Sequence, residues 1–312
     1  MIAGCSGNND TNSNSSQSTQ FRTTQTVPVT TIALVMKTLT NPFFIKMERG
    51  ARRAERELGI HLLVKTAAKE TSIQQQINIV DELIRMKVDA IVIAPGDSVE
   101  LIPVLKQAQD AGIAVVNIDN RLNPEFSKKS GLKELPFISV DNEKAAYQSV
   151  KALTRKITQP TSVAILEGIR SAANAEDRKN GALKAFEEHP LTNVVAMETA
   201  HWKIDEGFDK TRQLFELYPQ IGAIFCANDM MALGTLQYLK VSGRDDVLVA
   251  SYDALDEARA AVNAGTLVAT VDQQASLQGY MGVMYAYRML TGEKLPPVTL
   301  VDTKIIIRQS YQ

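Results

Sequence analysis

From Thr31 onward the chain alternates short apolar runs with amphipathic stretches, and this alternation constrains the fold more than any other feature of the sequence. In the stretch 73–87 the apolar residues recur every three or four positions, which is the period of a helix. Strands that are apolar throughout and alternate with helices predict a parallel sheet covered on both faces. The runs predicted to be β-strands are Ile32–Met36, Leu62–Thr66, Ala90–Ala94, Ala114–Ile118, Phe137–Val140, Ser162–Leu166, Asn193–Met197, Ala223–Ala227, Val247–Tyr252, Leu267–Val271 and Thr299–Ile307.

These strands are too many for one doubly wound unit, which has about five or six. The 312 residues are likewise too many for one ordinary core and suit two domains. We therefore predict an α/β protein made of two doubly wound lobes with parallel sheets. The segment 136–141, near the middle of the chain, is the predicted crossing from one lobe to the other.

The charge balance argues against a nucleic-acid partner. The formal net charge is −1, whereas a protein that binds nucleic acid usually carries a basic excess. No apolar stretch approaches the roughly 20 residues of a membrane-spanning helix.

Cys226 lies in the apolar run 223–227, so we interpret it as a buried core thiol and expect no disulfide with Cys5.

The first residues predict a membrane anchor. The stretch IAGC, residues 2–5, resembles the lipoprotein box of bacteria, in which the cysteine becomes the lipidated first residue. The charged start and apolar segment that precede such a box are missing, and the alternative is a cysteine without function in a polar tail. Residues 6–20 have a composition that cannot bury a core. We predict a lipobox and flexible tether over residues 1–30, with lipidation at Cys5.

Function is best sought just after each predicted strand, because open α/β sheets bind ligands at the carboxyl ends of their strands. These positions hold carboxylates and amides, which bind pairs of hydroxyl groups, and aromatic rings, which cover the C–H face of a sugar. The combination predicts a site for a small hydroxylated molecule. The stretches that follow the strands are Lys37–Phe44, Asp119–Arg121, Glu167–Arg178, His201–Trp202, Asn228–Asp229, Asp253 and Asp272–Gln273. The family resemblance described below selects from them the residues implied to bind the ligand, which are Lys37, Asn41, Phe43, Phe44, Asp119, Asn120, Glu176, Trp202, Asn228, Asp253 and Gln273.

Several of these residues also have an ordinary structural interpretation. Phe43 and Phe44 point about 100° apart on a helix, so we expect one ring to pack inward and at least one to face the ligand. Asp253 could cap the helix that follows it, and Glu176 could match the dipole of a first helical turn. Asp141 is more simply interpreted as a helix cap than as a ligand contact.

The sequence lacks the motifs of catalysis and of cofactor binding. It has no glycine-rich phosphate loop, no G-x-S-x-G motif and no histidines with metal spacing. Ser98 in the fragment GDS is interpreted as a helix N-cap, and His201 is not expected to bind the ligand. We therefore predict no cofactor, no metal, no catalytic residue and no enzymatic activity.

Seven motifs, taken in order, resemble the periplasmic sugar-binding proteins of ABC transporters, in the branch similar to ribose-binding proteins. Each motif alone is weak, but together they are highly specific, and the resemblance covers the chain from about residue 31 to residue 309. The motifs are KTLTNPFF (37–44), GARRAERELG (50–59), VDAIVIAPGDS (88–98), AGIAVVNID (111–119), ANDMMALG (227–234), YDA (252–254) and ATVDQ (269–273).

The resemblance implies the type I periplasmic binding protein fold, with two Rossmann-like lobes that are joined by three strands at a hinge and close over a sugar. The implied N-terminal lobe comprises residues 31–139 and 274–302, and the implied C-terminal lobe comprises residues 140–273 and 303–312. The aromatic rings would sandwich the sugar, while Asp119 and Asp253 would bind hydroxyl pairs. Gln273 would lie near a hinge crossing.

Three positions depart from the ribose-binding pattern that the resemblance implies. Lys37 stands where a small hydroxyl residue is usual, and Asn120 stands where ribose binders have an arginine, with Arg121 next to it. Glu176 stands where the second lobe offers another arginine, with Arg178 two positions on. Because Asn and Glu cannot reproduce the bidentate fork of arginine, these departures indicate a ligand related to ribose rather than ribose itself.

The charges narrow the ligand class further. With Asp119, Asp253, Glu176 and Lys37 in the pocket, the local formal charge would be −2, which disfavours phosphorylated and carboxylated ligands. A neutral sugar or polyol remains, with a pentose, a hexose, an inositol or an amino sugar as the alternatives.

The resemblance implies a monomeric receptor in the periplasm or at the cell surface, held to a bacterial membrane by its lipid, that delivers its ligand to an ABC transporter permease. One alternative is a sugar or autoinducer receptor for chemotaxis or signalling. Another is the core of a repressor of the lactose-repressor type. That class needs a basic N-terminal helix-turn-helix, where this chain has its polar tether.

Overall fold

The computed structural model describes residues 1–7 and 29–308. Residues 1–7 have no regular structure and are exposed, Cys5 among them. Most of the predicted tether, residues 8–28, lies outside the described residues. The remainder forms two α/β lobes, each built on one six-stranded sheet.

Strands and helices alternate along the described chain until its last two strands. The elements of the first half are β1 (Thr31–Met36), α1 (Pro42–Leu58), β2 (His61–Thr66), α2 (Ile73–Met86), β3 (Ala90–Ile93), α3 (Ile102–Asp110), β4 (Ala114–Ile118), α4 (Pro124–Lys129), β5 (Phe137–Ser139) and α5 (Asn142–Thr154). Those of the second half are β6 (Thr161–Glu167), α6 (Ala173–Glu187), β7 (Thr192–Thr199), α7 (Ile204–Leu217), β8 (Ile221–Cys226), α8 (Asp229–Ser242), β9 (Leu248–Ala250), α9 (Asp256–Ala264), β10 (Ala269–Asp272), α10 (Ala275–Leu290), β11 (Val298–Leu300) and β12 (Lys304–Ile307).

The first lobe has the strand order β11-β5-β4-β3-β1-β2, and all of its pairings are parallel. Helix α10 returns to this lobe and packs closely on α1. A Cβ added at Gly50 would lie 1.7 Å from the carbonyl oxygen of Ser276, and one at Gly279 would lie 2.1 Å from that of Met47. These glycines let the two helix backbones touch, which joins residues that are far apart in the sequence.

The second lobe has the strand order β12-β10-β9-β8-β6-β7. Its pairings are parallel except at the edge, where β12 runs antiparallel to β10. Helix α5 packs on this lobe, and Ser149 on α5 donates a hydrogen bond to the carbonyl oxygen of Ser251 at 2.9 Å. The central strands of both sheets are buried, as their continuous apolar sequences predict.

The chain passes between the lobes three times. It crosses after β5 into α5, after β10 into α10, and between β11 and β12. The prediction of a single strand over Thr299–Ile307 is therefore wrong. Residues 301–303 leave the first sheet and enter the second, so this apolar run supplies one short strand to each lobe.

The two ends of α1 show how the sequence starts and stops a helix after a strand. Asn41 has extended backbone angles and accepts a hydrogen bond from the Phe43 N–H at 3.0 Å, while Pro42 occupies the first helical turn. Gly59, with φ of 65°, ends the helix in the left-handed conformation.

Among the described residues, no helix combines the length and apolar character needed to span a membrane.

Candidate functional site

A small cavity lies between the lobes, where the carboxyl ends of the two sheets meet. The space between its walls, including its opening to solvent, is about 230 Å³. The residues that line it are Lys37, Asn41, Phe43, Phe44, Glu70, Asp119, Asn174, Arg178, Trp202, Asn228, Asp253 and Gln273.

The wall from the first lobe carries a buried ion pair. Lys37 follows β1 and Asp119 follows β4, and their Nζ and Oδ2 atoms are 2.9 Å apart with each side chain 3% exposed. The two groups lack the alignment of a hydrogen bond, so Oδ2 of Asp119 keeps its capacity to accept one. The Lys37 Nζ also lies 5.7 Å from the ring centroid of Phe44. This wall therefore presents a cation, which lies over an aromatic ring, and a carboxylate beside it.

Asn41 links the start of α1 to the loop after β2. Its Nδ2 donates a hydrogen bond to Oε1 of Glu70 at 3.0 Å, and burial raises the pKa of Glu70 while the ammonium of Lys37 opposes that shift. The rings of Phe43 and Phe44 meet edge to face, with centroids 5.0 Å apart. Both rings line the cavity, so neither of them is committed to the core alone.

Arg178 on α6 is the cation of the second wall. Its Nε donates to Oδ1 of Asn142 at 2.8 Å, and its Nη1 donates to the carbonyl oxygen of Ala227 at 2.9 Å. The same Nη1 lies 3.5 Å from Oδ1 of Asp253, and the guanidinium stacks over the ring of Tyr252 at 3.8 Å. The guanidinium is thus fixed in place by groups of its own lobe before any ligand binds.

Asp253 completes this second charged pair. Burial raises its pKa well above the usual value, and the Arg178 guanidinium acts in the opposite direction. The Nε2 of Gln273 donates to Oδ1 of Asp253 at 2.6 Å, and Gln278 Nε2 donates to the Gln273 carbonyl oxygen at 2.8 Å. Helix α9 begins after Leu255, and Asp253 does not cap it, so its carboxylate remains directed to the cavity.

Trp202 closes one side of the cavity and packs directly on the backbone of Gly168. A Cβ added at Gly168 would lie 1.9 Å from the Trp202 ring, so the indole needs a glycine at that position. Asn228 caps α8 by accepting from the Met231 N–H at 2.9 Å, and it donates to the Trp202 carbonyl oxygen at 3.3 Å. The indole is therefore held from two sides while its Nε1 remains without a hydrogen-bond partner.

Backbone strain is concentrated at this cavity. Asp119, Trp202 and Asp253 all have positive φ, at 65°, 66° and 115°, which side chains other than glycine rarely adopt. Each of these three residues directs its side chain to the cavity. Strained backbone that persists in a folded protein is typical of binding and catalytic sites. The positive φ angles therefore indicate a functional site at the cavity, separately from the shape of the cavity.

Three buried polar atoms of the lining have no hydrogen-bond partner. They are the donor Nε1 of Trp202, the acceptor Oδ1 of Asn174 and the acceptor Oδ2 of Asp119. Leaving a buried polar group unpaired costs on the order of 1–3 kcal/mol, so such groups are normally satisfied. One donor and two acceptors around a compact space are complementary to the hydroxyl groups of a small ligand.

Two predicted ligand-binding residues lie outside the cavity. Glu176 is on the outer side of α6, where it pairs with Lys179 at 2.6 Å and is half exposed. Asn120 is fully buried but contacts Pro95 and Asn174 at the junction of the lobes. The other predicted residues line the cavity, together with Glu70, Asn174 and Arg178, which the sequence reasoning did not select.

Three minor expectations have different outcomes. Asp141 is the N-cap of α5, accepting from the Lys144 N–H at 3.0 Å, as predicted. Ser98 is not a cap of the helix that follows it, because Asp97 accepts the N–H groups of that turn. Burial raises the pKa of the Cys226 thiol to about 12, so it stays protonated in the core.

The corrected lining changes the charge of the cavity. Lys37 and Arg178 supply two positive charges, and Glu70, Asp119 and Asp253 supply up to three negative charges, which gives −1 when all are ionised. Burial raises the pKa of Glu70 and of Asp253, so protonation of either carboxyl makes the total less negative. An anionic ligand would still meet three carboxyl groups, so the cavity favours a neutral one.

A family model described as periplasmic binding protein domain matches residues 32–294. The D-ribose/D-allose-binding protein of Pseudomonas aeruginosa is 37% identical over 267 residues, which are 84% of this chain and 82% of that protein. The D-allose-binding periplasmic protein of Escherichia coli is 31% identical and covers 88% of this chain and 91% of its own length.

Solved structures show the same relationship. An ABC transporter periplasmic solute-binding protein from Actinobacillus succinogenes, crystallised with bound D-allose, superposes with a TM-score of 0.85 at 36% identity. That match covers 89% of this chain and 98% of the crystallised one. The fold, the motifs along the chain and these matches agree: the chain belongs to the periplasmic binding protein family of sugar-binding proteins, with the type I fold of two hinged lobes.

Proposed function

We propose that the protein binds one neutral monosaccharide in the cavity between its lobes and delivers it to the permease of an ABC transporter. The observation that carries the proposal is the set of unpartnered polar atoms on Asp119, Asn174 and Trp202, which a sugar's hydroxyl groups would satisfy. The aromatic side chains of Phe43, Phe44 and Trp202 supply apolar surface for the C–H face of the same sugar.

The preferred ligand is an aldohexose of the D-allose type, with D-ribose as the second choice. The relative that is 37% identical is named for both sugars, and the structure that is 36% identical holds D-allose. A micromolar affinity corresponds to about −8 kcal/mol, which several shielded hydrogen bonds and ring contacts can supply.

Binding is proposed to shift the lobes from open to closed. Ligand contacts made by both walls at once exist only when the lobes are closed, so the ligand stabilises the closed population. The permease then recognises the closed shape of a monomeric receptor. No enzymatic step is proposed for the site, whose charged side chains are already paired with one another.

The location of the protein in the cell is proposed from the same family membership. We propose an extracytoplasmic protein that is attached to a bacterial membrane by a lipid on Cys5, which is exposed in the structure. Mass spectrometry of the N-terminal peptide from the native membrane would show a diacylglyceryl-modified cysteine. An unmodified Cys5 in that peptide would contradict the anchor without affecting the proposed sugar site.

The ligand proposal is tested by identifying what the protein retains. Mass spectrometry of molecules released from the purified protein, together with thermal-shift measurements over pentoses, hexoses, polyols and amino sugars, is expected to select D-allose. A bound ligand raises the melting temperature by mass action, so the shift should grow with sugar concentration. If no sugar or polyol raises the melting temperature, the proposed function is wrong.

A further inference from the structure

The first turn of α6 has no cap from its own N-cap residue. Ala172 occupies the N-cap position with extended backbone angles of −98° and 125°, but alanine has no side-chain oxygen to accept a hydrogen bond. The first N–H groups of any helix lack partners within the helix, and here Asn174 is buried while Ala173 is half-buried. Their acceptors must come from elsewhere in the molecule.

The acceptors come from the other lobe. Oγ of Ser98, in the loop after β3, accepts from the Ala173 N–H at 2.9 Å. Oδ1 of Asn120, just after β4, accepts from the Asn174 N–H at 3.2 Å. The Ser98 N–H in turn donates to the carbonyl oxygen of Ser171 at 3.1 Å. Both acceptor residues are buried, and of the two bonds that from the Asn174 N–H is buried and that from the Ala173 N–H is partly buried.

The first lobe fixes the acceptors without help from α6. Nδ2 of Asn120 donates to the carbonyl oxygen of Pro95 at 3.1 Å and lies 3.3 Å from Oγ of Ser98. Nδ2 of Asn117 donates to the Asn120 carbonyl oxygen at 2.8 Å. The two oxygens are therefore already oriented toward the place that the first turn of α6 occupies when the lobes meet.

We propose that Ser98 and Asn120 form a latch that caps α6 across the lobe boundary, so that closing the lobes itself completes a helix. The inference rests on the proposed function, because a latch matters only if the lobes open and close. Neither residue lines the cavity, and both act as positioning residues through Asn174. The latch fixes the backbone of Asn174, whose unpartnered Oδ1 faces the ligand space.

The latch makes an unusual prediction for Ser98→Ala. When the lobes are apart, water satisfies the first N–H groups of α6, so the ligand-free protein should lose only the contact between Asn120 Nδ2 and Ser98 Oγ, and its stability should fall less than that of Ser149→Ala. In the closed state the Ala173 N–H would have no partner. The loss of an N-cap acceptor corresponds to roughly tenfold in an equilibrium constant, and we expect it as faster dissociation of the sugar with little change in association.

Ser149→Ala is the matched control. Ser149 is fully buried, and its Oγ donates to the Ser251 carbonyl oxygen within one lobe. Its replacement should lower the melting temperature of the ligand-free protein and leave the affinity for sugar within about twofold of the wild-type value. The two serines thus separate a bond that forms on closure from one that is always present.

The test uses titration calorimetry and stopped-flow binding of D-allose and D-ribose, with hydrogen exchange of the α6 amides as a local probe. The latch predicts a roughly tenfold weaker Kd for Ser98→Ala and reduced protection of the Ala173 and Asn174 amides in the sugar-bound state. Wild-type affinity in Ser98→Ala, or a ligand-free melting temperature lowered as much as in Ser149→Ala, overturns the latch alone. A wild-type protein that binds neither these sugars nor any other neutral sugar overturns the proposed function, and the latch with it.

Discussion

The two walls of the cavity each place a buried cation beside an aspartate, but they hold that cation in different ways. Arg178 of the second lobe donates to Asn142 and to the Ala227 carbonyl oxygen, at 2.8 and 2.9 Å, in addition to its pairing with Asp253. Lys37 of the first lobe has its ion pair with Asp119 and lies over the ring of Phe44.

The difference indicates a division of roles between the walls. A planar guanidinium that is fixed by several acceptors is pre-organised, whereas an ammonium on a flexible stem can exchange its carboxylate for a ligand hydroxyl. The second wall therefore provides a rigid template. The first wall supplies the contacts that adjust to the particular sugar.

The largest expected effect is that of Arg178→Met. Removing one partner from a buried pair costs roughly 3–5 kcal/mol, because Asp253 is left buried without its cation. We expect the free energy of unfolding of the ligand-free protein to fall by about 3 kcal/mol and sugar binding to weaken more than about 100-fold. Urea denaturation and calorimetry measure the two quantities. Unchanged stability would show that this wall is not the rigid one.

Trp202→Ala should have the next largest effect, with affinity reduced roughly 50-fold, as for a buried aromatic contact. Trp202→Phe keeps a ring but removes the Nε1 donor, so we expect a loss of only about five- to tenfold. Calorimetry of both variants separates ring coverage from hydrogen bonding. Equal affinities for the two variants would argue that the indole donor, rather than the ring, accounts for the contribution of Trp202.

Lys37→Met tests the adaptable wall. We expect about tenfold weaker binding of sugar and a loss of unfolding free energy of about 3 kcal/mol, because Asp119 would also be left buried without its cation. The ratio of affinities for D-allose and D-ribose should also change, which Arg178→Met should not cause. An unchanged ratio of affinities for the two sugars in Lys37→Met would remove the distinction between the walls.

A further prediction concerns the pH dependence of stability and a carboxyl group behind the rigid wall. Burial raises the pKa of Asp229 to about 6, although hydrogen bonds from Ser251, Leu255 and Thr270 act to lower it. Between its unfolded value near 3.8 and about 6, the folded protein retains a proton that the unfolded chain releases. This group's contribution to stability therefore falls as the pH rises from about 4 to about 6, and it is constant on either side.

Urea denaturation across this pH range would reveal that contribution. Asp229→Asn cannot ionise, so its unfolding free energy should lack the decrease that the wild-type protein shows between pH 4 and pH 6. Comparing the two slopes cancels the titration of the other groups. Identical slopes would contradict the raised pKa.

Much of the fold follows from the sequence because its signals are local. Continuous apolar strands and helix-period stretches occur at nearly every predicted place, and KTLTNPFF forms the strand end and helix start that it predicts. The last strands differ because residues 298–307 form one nearly continuous β-rich run. Only the lobe boundary, which is set by distant parts of the chain, divides this run between two sheets.

There are also physical reasons why the sequence did not reveal Arg178 and Glu70 as site residues. Glu176 and Arg178 are about 200° apart around α6, so the choice of which one faces the cavity depends on where the helix begins and how it packs. The sequence gives no cap signal there, since the position before the helix is Ala172. Glu70 follows the edge strand β2 in a charged loop, where an acidic residue carries no distinguishing pattern.

The most direct test of the proposed site is titration calorimetry of the purified protein with D-allose. We predict one binding site per chain, a Kd in the micromolar range or tighter, and weaker binding of D-ribose. No binding of D-allose, D-ribose or any other neutral monosaccharide would contradict the proposal that the cavity between Lys37–Asp119 and Arg178–Asp253 is a sugar site.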